Sequence, residues 1–246
     1  MTSPLVNESV QLITNRLTPD FRFNPGLGTT GRYINKAGRI APQSAVTEAL
    51  EQMIAGVKGD MVAVSQQLQA GTISLADWQL AMRDNIKIIH SSQASIAKGG
   101  WARMTPTDWG RVGSTTKRQY AFLQNFAVEI ESGKQKLNGQ FMRRAGMYAD
   151  AGRGTAGDVG RIEASNNGLT EERRIIFPGD SCPTCIDQAQ RGWQPIGTLN
   201  RIGDSECRTN CRCIFEFRGN QTGALARLAI AAGAGLLANE ILGGDN

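Results

Sequence analysis

The chain has 246 residues, of which 40% are hydrophobic and 20% charged, with 29 glycines and a formal net charge of +5. That length buries one sizeable core, or one main domain with a small satellite. The modest basic excess suits contact with nucleic acid or with an acidic protein surface and selects neither. The longest apolar stretch, Leu228 to Ala238, is about half of the roughly 20 residues that a membrane-spanning helix needs, so no span is expected. Met1 to Val10 has no basic segment followed by an apolar one, so no secretory signal is read there and a reducing, intracellular setting is expected.

Residues 1–43 read as an extended N-terminal arm. Phe21-Arg22-Phe23 is strand-like and runs into the turn signal Asn24-Pro25-Gly26. Arg32-Tyr33-Ile34 and Arg39-Ile40-Ala41 flank Asn35-Lys36-Ala37-Gly38, which predicts a small hairpin with Gly38 left-handed. Gly26, Gly28 and Gly31 spell G-x-G-x-x-G, but no buried strand precedes them and no helix opens on the last glycine, so a dinucleotide site is rejected.

Residues 44–150 read as a helical domain. Val46, Leu50, Met53, Ile54, Val57, Met61, Val64 and Leu68 recur at helical spacing, with Ser44 as the expected cap, Gly71 as the stop and a bend expected at Gly56 and Gly59. Ser74 and Asp77 have the spacing of a capping box ahead of a stripe of Trp78, Met82, Ile86 and Ile89, which ends at or before Gly99-Gly100. Thr105-Pro106-Thr107-Asp108 opens a third helix, whose face is Tyr120, Leu123, Phe126, Ala127 and Ile130. A fourth is expected over 138–150. The Met and aromatic stripes are read as core.

Gly152, Gly154, Gly157, Gly160 and Gly168 mark residues 151–172 as a glycine-rich hinge or a short, weak helix. Strands are predicted at Arg173 to Phe177, ending at Pro178-Gly179, and at Ile214 to Arg218. Residues 219–246 read as an apolar helix, with Leu225, Leu228, Leu236 and Ile241 on one face. It is expected to dock on the body of the protein or on another subunit, with a membrane-surface helix, on a polar face poor in Lys, as the third reading.

Every cysteine lies between the two late strands, as C-x2-C-x21-C-x3-C-x-C: Cys182, Cys185, Cys207, Cys211 and Cys213. Two thiolates two residues apart in a tight turn can share one tetrahedral ion, and the second group follows after a loop of zinc-ribbon length. All five are therefore candidate ligands for a structural zinc, with Cys182 and Cys185 as one pair and the second pair left open among the other three. Arg191, Arg208 and Arg212 are candidates to offset the thiolate charge. A disulfide formed on later exposure to an oxidising exterior, or free buried thiols, are the other readings. A redox C-x-x-C is disfavoured because the motif is not expected to open a helix beside a βαβ unit. A small ribbon has little core of its own, so a metal would supply its folding energy.

No catalytic set is evident, and the chain is read as non-enzymatic. His90, the single histidine, lies in an amphipathic helix and is expected to contact the core. Glu171-Glu172 beside Arg173-Arg174 read as a solvated helix end. Lys117, Arg118, Lys134, Lys136, Arg143, Arg144 and Arg153 supply charge for phosphate contacts, or equally for an acidic protein partner.

The segment Arg174 to Arg218 resembles the C-terminal part of phage head morphogenesis proteins similar to the Mu F protein, the minor head proteins. Cys182 and Cys185 match that family's C-x2-C turn, Gly192 to Pro195 its loop, and Cys211-Arg212-Cys213 its closing C-R-C. Where the family often has a histidine three residues before C-R-C, this chain has Cys207 four before it. The stretch Gly71 to Arg83 and the hairpin Gly31 to Ile40 are also similar to prophage head proteins. The resemblance implies a structural virion protein near the portal, assembled in the host cytoplasm and assisting head assembly or DNA delivery. Its implied partners are the portal or major capsid protein within a multi-subunit assembly, with packaged DNA touched through its phosphates. The hinge would let knuckle and helical body engage different partners. The alternative from another class is an intracellular zinc-knuckle module that binds nucleic acid. The expected fold is mainly α with a small β-containing C-terminal knuckle (173–218), an α+β arrangement.

Overall fold

The computed structural model describes residues 32–176 and 181–219, together with the backbone of the strand at 21–24. The glycines of the rejected dinucleotide motif and the C-terminal apolar segment from Thr222 to Leu242 lie outside the described residues. The protein is mainly helical, with a small antiparallel sheet late in the chain.

Near the N-terminus, β1 (Phe21–Asn24) pairs antiparallel with β2 (Arg32–Asn35), Phe21 opposite Asn35. The hairpin after β2 forms as the turn residues require. Gly38 sits at φ 75°, Asn35 Oδ1 accepts from the amides of Ala37 and Arg39, and Ile34 bridges Ile40.

Four helices follow: α1 (Gln43–Gln69), α2 (Leu75–Lys98), α3 (Pro106–Glu131) and α4 (Gly139–Asp150). Their ends obey local chemistry. Ser74 and Asp77 close a reciprocal capping box, with N···O distances of 3.1 and 3.3 Å. Thr105 and Asp108 repeat it at 3.2 and 3.0 Å, behind Pro106 at the first helical position. Asn138 caps α4 by accepting from the amides of Gln140 and Phe141. Gly71, Gly99 and Gly133 stand just past three helix ends with φ of 71°, 91° and 73°, the left-handed stop that glycine adopts without penalty. The first helix start differs from expectation. The chain enters α1 directly after the extended Pro42, no side chain caps it, and Ser44 lies inside the first turn. Helix α1 also runs unbroken through Gly56 and Gly59.

α2 lies at the centre, packed against α1, α3 and the next helix, α5 (Gly152–Asn166). Its apolar stripe meets Met53, Ile54, Val57 and Met61 of α1, Leu123 and Phe126 of α3, and Phe141 and Ala145 of α4. Trp78 has no exposed surface, sits edge-on to Phe126 at 5.4 Å and beside Phe141 at 5.6 Å, and donates its indole N–H to Ser65 Oγ at 2.9 Å. Ser65 donates onward to the Met61 carbonyl, so the one polar atom of the ring is satisfied inside the core.

Most of the glycine-rich segment forms a helix, the second of its two expected forms. Its glycines lie in α5, where they permit close approach on two sides. A Cβ on Gly152 would stand 2.8 Å from Ile89 Cγ1 of α2. On Gly154 it would be 2.9 Å from the Ile202 carbonyl oxygen, and on Gly157 3.0 Å from Ile202 Cγ1. Gly160 faces the Phe217 ring. α5 is thus wedged between the helical body and the C-terminal sheet, and the helix weakness of its glycines is offset by contacts no larger residue allows. Only Gly168, beyond the helix end, is left-handed, at φ 78°. Gly154→Ala should therefore lower the midpoint of denaturant unfolding, because the opposing atom is backbone. Gly56→Ala, on the open face of α1 with nothing within 4 Å, should raise stability by about 0.5–1 kcal/mol.

His90 is fully buried in α2, as expected of a core residue, with Nδ1 2.6 Å from Thr155 Oγ1 of α5. Burial, reinforced by the Arg118 charge, lowers its pKa from 6.5 to about 4. The fold therefore holds the neutral ring, and its contribution is complete above pH 6.5 and lost as pH falls towards 4. The loss amounts to roughly 3 kcal/mol over that window. Between pH 6.5 and 5, above the carboxylate range, the parent should lose stability faster than a His90→Gln variant when urea unfolding is compared in the same buffers. Parallel curves would contradict this.

Candidate metal centre

The late sheet has the order β4 (Gln194–Pro195), β3 (Glu171–Ile175), β5 (Ile214–Arg218), all antiparallel. Glu171 stands opposite Arg218 on one side and Pro195 on the other, and Ile175 opposite Ile214. A short helix, α6 (Pro183–Gln190), follows β3, and a single turn at Arg208–Asn210 precedes the final cysteines.

Cys182 is the residue preceding α6, Pro183 occupies its first position, and Cys185 lies in its first turn. The expected tight turn is therefore a helix start: proline pre-sets the first helical φ, and a spacing of three brings both sulfurs to one side. Cys207 and Cys211 bracket the turn at Arg208–Asn210, and Cys213 immediately precedes β5. Arg208 takes φ 46°, the one left-handed non-glycine among the described residues, where the chain doubles back.

This path brings all five cysteines together as free thiols. Cys182, Cys185 and Cys207 form one set with sulfurs within 4.8 Å of one another, and Cys185, Cys211 and Cys213 form a second, sharing Cys185. Sγ–Sγ distances are 3.4 Å for Cys182–Cys207, 3.6 Å for Cys185–Cys207 and 3.7 Å for Cys185–Cys211. Four sulfurs about 2.3 Å from a tetrahedral ion lie about 3.8 Å apart, so the thiols are already near ligand spacing. Cys185, Cys211 and Cys213 are buried, and Cys182 and Cys207 are half-buried. The cluster can hold a metal ion, and its all-sulfur donor set suits a soft or borderline cation.

The thiols do not share one proton affinity. Contact with the Cys213 thiol, set against burial and aided by the backbone amides of Cys213 and Gly203, brings Cys211 down to about 4. Burial acts to raise Cys182, but the amides of Cys185 and Cys207 outweigh it and hold that thiol below its usual range. Burial and the neighbouring sulfurs push Cys207 up, and the contact with Cys211 does the same to Cys213. Without a cation, negative charge on one sulfur keeps the proton on the next.

Beneath the thiols lie two buried charges from alternate positions of β3. Glu172, with no exposed surface, accepts both Nε and Nη2 of Arg161 from α5 at 2.7 and 2.8 Å. The same carboxylate accepts the amides of Gly197 and Leu199, and Arg161 also donates to the Leu199 carbonyl at 2.7 Å. This fixes the loop between the two cysteine groups. Arg174, 2% exposed, points its Nη1 at Cys185 Sγ (3.6 Å) and Cys211 Sγ (3.7 Å), while Nη2 donates to the Asn200 carbonyl. Arg161 and Arg174 both stack over the Phe215 ring, at 4.0 and 5.2 Å. Leu199, Ile202 and Phe215 complete the small core with the cysteines themselves.

Several expectations change here. Glu171-Glu172 are strand residues rather than a solvated helix end, and Glu172 is buried because Arg161 and two loop amides satisfy it. The C-x-x-C motif does open a helix, although the sheet beside it is antiparallel and contains no βαβ unit. The guanidinium at the sulfurs belongs to Arg174. Arg208 and Arg212 are exposed, and Arg191 pairs with Asp187 at 2.8 Å. Of the basic residues considered for phosphate contact, Arg144 is engaged by Glu129, and Arg153 by Glu51 and Asp150. Lys117, Arg118, Lys134, Lys136 and Arg143 are exposed. Sequence reasoning missed Arg161 and Arg174. The strand period of two puts Arg174 on one face with Glu172 but does not say which face is inward, and nothing local in α5 singles out Arg161.

No protein-family model, characterised protein or solved structure matches the chain.

Removing one member of a buried ion pair strands the other. Arg161→Met should cost about 3–5 kcal/mol in urea unfolding, whereas the Arg161→Met, Glu172→Leu double variant should recover part of that loss.

Proposed function

We propose that the chain is a non-catalytic structural protein whose C-terminal module is held by one zinc ion, and that it serves as a phage minor head or portal-vertex component. The observation that carries the zinc reading is the convergence of five thiols, four of them linked by 3.4–3.7 Å contacts and Cys213 within 4.8 Å of Cys185 and Cys211, on a sheet whose other buried apolar residues among those described are Leu199, Ile202 and Phe215. Such a module gains most of its folding energy from metal ligation. The head-protein role rests on the resemblance of residues 174–218 to the minor head proteins, with the portal or major capsid protein as partner and packaged DNA as a further contact. The exposed lysines and arginines of α3 and α4 fit a partner of negative charge.

The first test is metal content and thiol count on the full chain, purified without reductant. About one zinc per chain is expected, with thiols that react only after chelation. Chelation should abolish protection of amides in 171–218 in hydrogen exchange and leave α1 to α4 protected. No metal, together with fewer than five reactive thiols in the denatured chain, would replace the zinc by a disulfide. For the head role, mass spectrometry of purified particles from the encoding phage should find the chain at low copy, and purified portal should bind it. Absence from particles and from portal would refute that role while leaving the metal centre standing.

A further inference from the structure

Resting on the zinc reading, we infer that Arg174 is the positioning residue of the centre. It neutralises and orients a four-sulfur ligand set of Cys182, Cys185, Cys207 and Cys211, leaving Cys213 as a thiol outside that set.

The contacts trace one path. Cys182 meets Cys207, Cys207 meets Cys185, and Cys185 meets Cys211, at 3.4, 3.6 and 3.7 Å. These contacts link four sulfurs, the number a closed structural site takes, with Cys182, Cys185 and Cys207 mutually within 4.8 Å and Cys211 reached through Cys185. Cys185, Cys211 and Cys213 form the other mutually close set; the two sets meet at Cys185, and Arg174 donates to Cys185 and Cys211. Cys213 immediately precedes β5, is 4% exposed, and its thiol contacts the Cys211 sulfur.

Charge supports the same choice. A dication with four thiolates carries a net charge of −2. Its two half-buried members, Cys182 and Cys207, are reached by solvent, whereas Cys185 and Cys211 are buried. Arg174 lies astride that buried edge, with one nitrogen donating to both sulfurs. Its other nitrogen is tied to the Asn200 carbonyl, and Phe215 lies beneath it, so the charge is held in place before any ion arrives. Asn200 follows the Leu199 carbonyl that Arg161 holds, which links the outer support of the site to α5. Removing such outer-shell partners weakens metal binding without removing a ligand.

The experiment uses the full chain and cobalt(II) as the probe. Arg174→Met should weaken cobalt and zinc binding about 10–100-fold in chelator competition, and Arg174→Lys should recover most of the loss. Cys213→Ser should keep the sulfur-to-cobalt charge-transfer band at parental intensity, while Cys207→Ser or Cys211→Ser should each lose about a quarter of it, one sulfur of four. Parental affinity in Arg174→Met, or a lost sulfur in Cys213→Ser, overturns the assignment. If the methionine variant fails to fold, the parent loaded with a magnetic cadmium isotope decides. A through-bond correlation between the metal and the Arg174 guanidinium protons is expected, and its absence overturns the role. A parent chain that takes up no cobalt overturns the metal reading itself, a result distinct from either of these.

Discussion

The buried pair of Arg161 and Glu172 is the joint on which the C-terminal half depends. It is made of one residue from α5 and one from β3, and Glu172 also accepts two amides from the loop that separates the cysteine groups. A carboxylate with no exposed surface is tolerated only when its lone pairs are filled, and here four donors fill them. The pair therefore constrains three elements at once: the helix facing the body, the central strand and the loop delivering Cys207. Arg201 to Asp158 and Arg153 to the Thr209 carbonyl add further ties between the same two parts.

The glycines of α5 serve that joint. Ile202 sits over Gly154 and Gly157, one step along the chain from Arg201 and three from Leu199, whose carbonyl Arg161 holds. A side chain at either glycine would lift the loop from the helix and lengthen the hydrogen bonds to Glu172. Close packing and charge satisfaction thus demand the same short distance. On the proposed role, body and module would meet a partner as neighbours packed on the two sides of α5.

Much of the helical body was legible because its rules are local. Ser74 with Asp77, Thr105 with Asp108, and the glycines at 71, 99 and 133 act within one turn of their own position, and the stripe from Trp78 to Ile89 follows a single period. The cysteine spacing likewise announced the cluster. What stayed hidden depends on partners far along the chain. Five glycines read locally as weakness, and only Ile89 and Ile202 turn them into contact points. Glu172 and Arg174 read as solvated charge until Arg161, the loop at 197–200 and the sulfurs are placed around them. Charged residues on an inward strand face have no periodic signature that separates them from an exposed edge.

The two cores differ in how they can fail. The body buries Trp78, Phe126, Phe141 and the methionines and isoleucines around them, a core of ordinary composition that needs no ligand. In the module, Cys185, Cys211 and Cys213 are themselves half of the buried core. A sulfur there acts twice, as an apolar filler when protonated and as a charged ligand when a metal is bound. Arg174 suits the charged state, since a buried guanidinium offsets its lost hydration beside negative sulfur, and the Cys211 thiol it touches is already held well below the usual thiol range. On the proposed metal reading, an ion would extend that negative charge to the other sulfurs beside the same guanidinium. Metal uptake, on that reading, would bear on the C-terminal core and leave the core of the body without a ligand to lose.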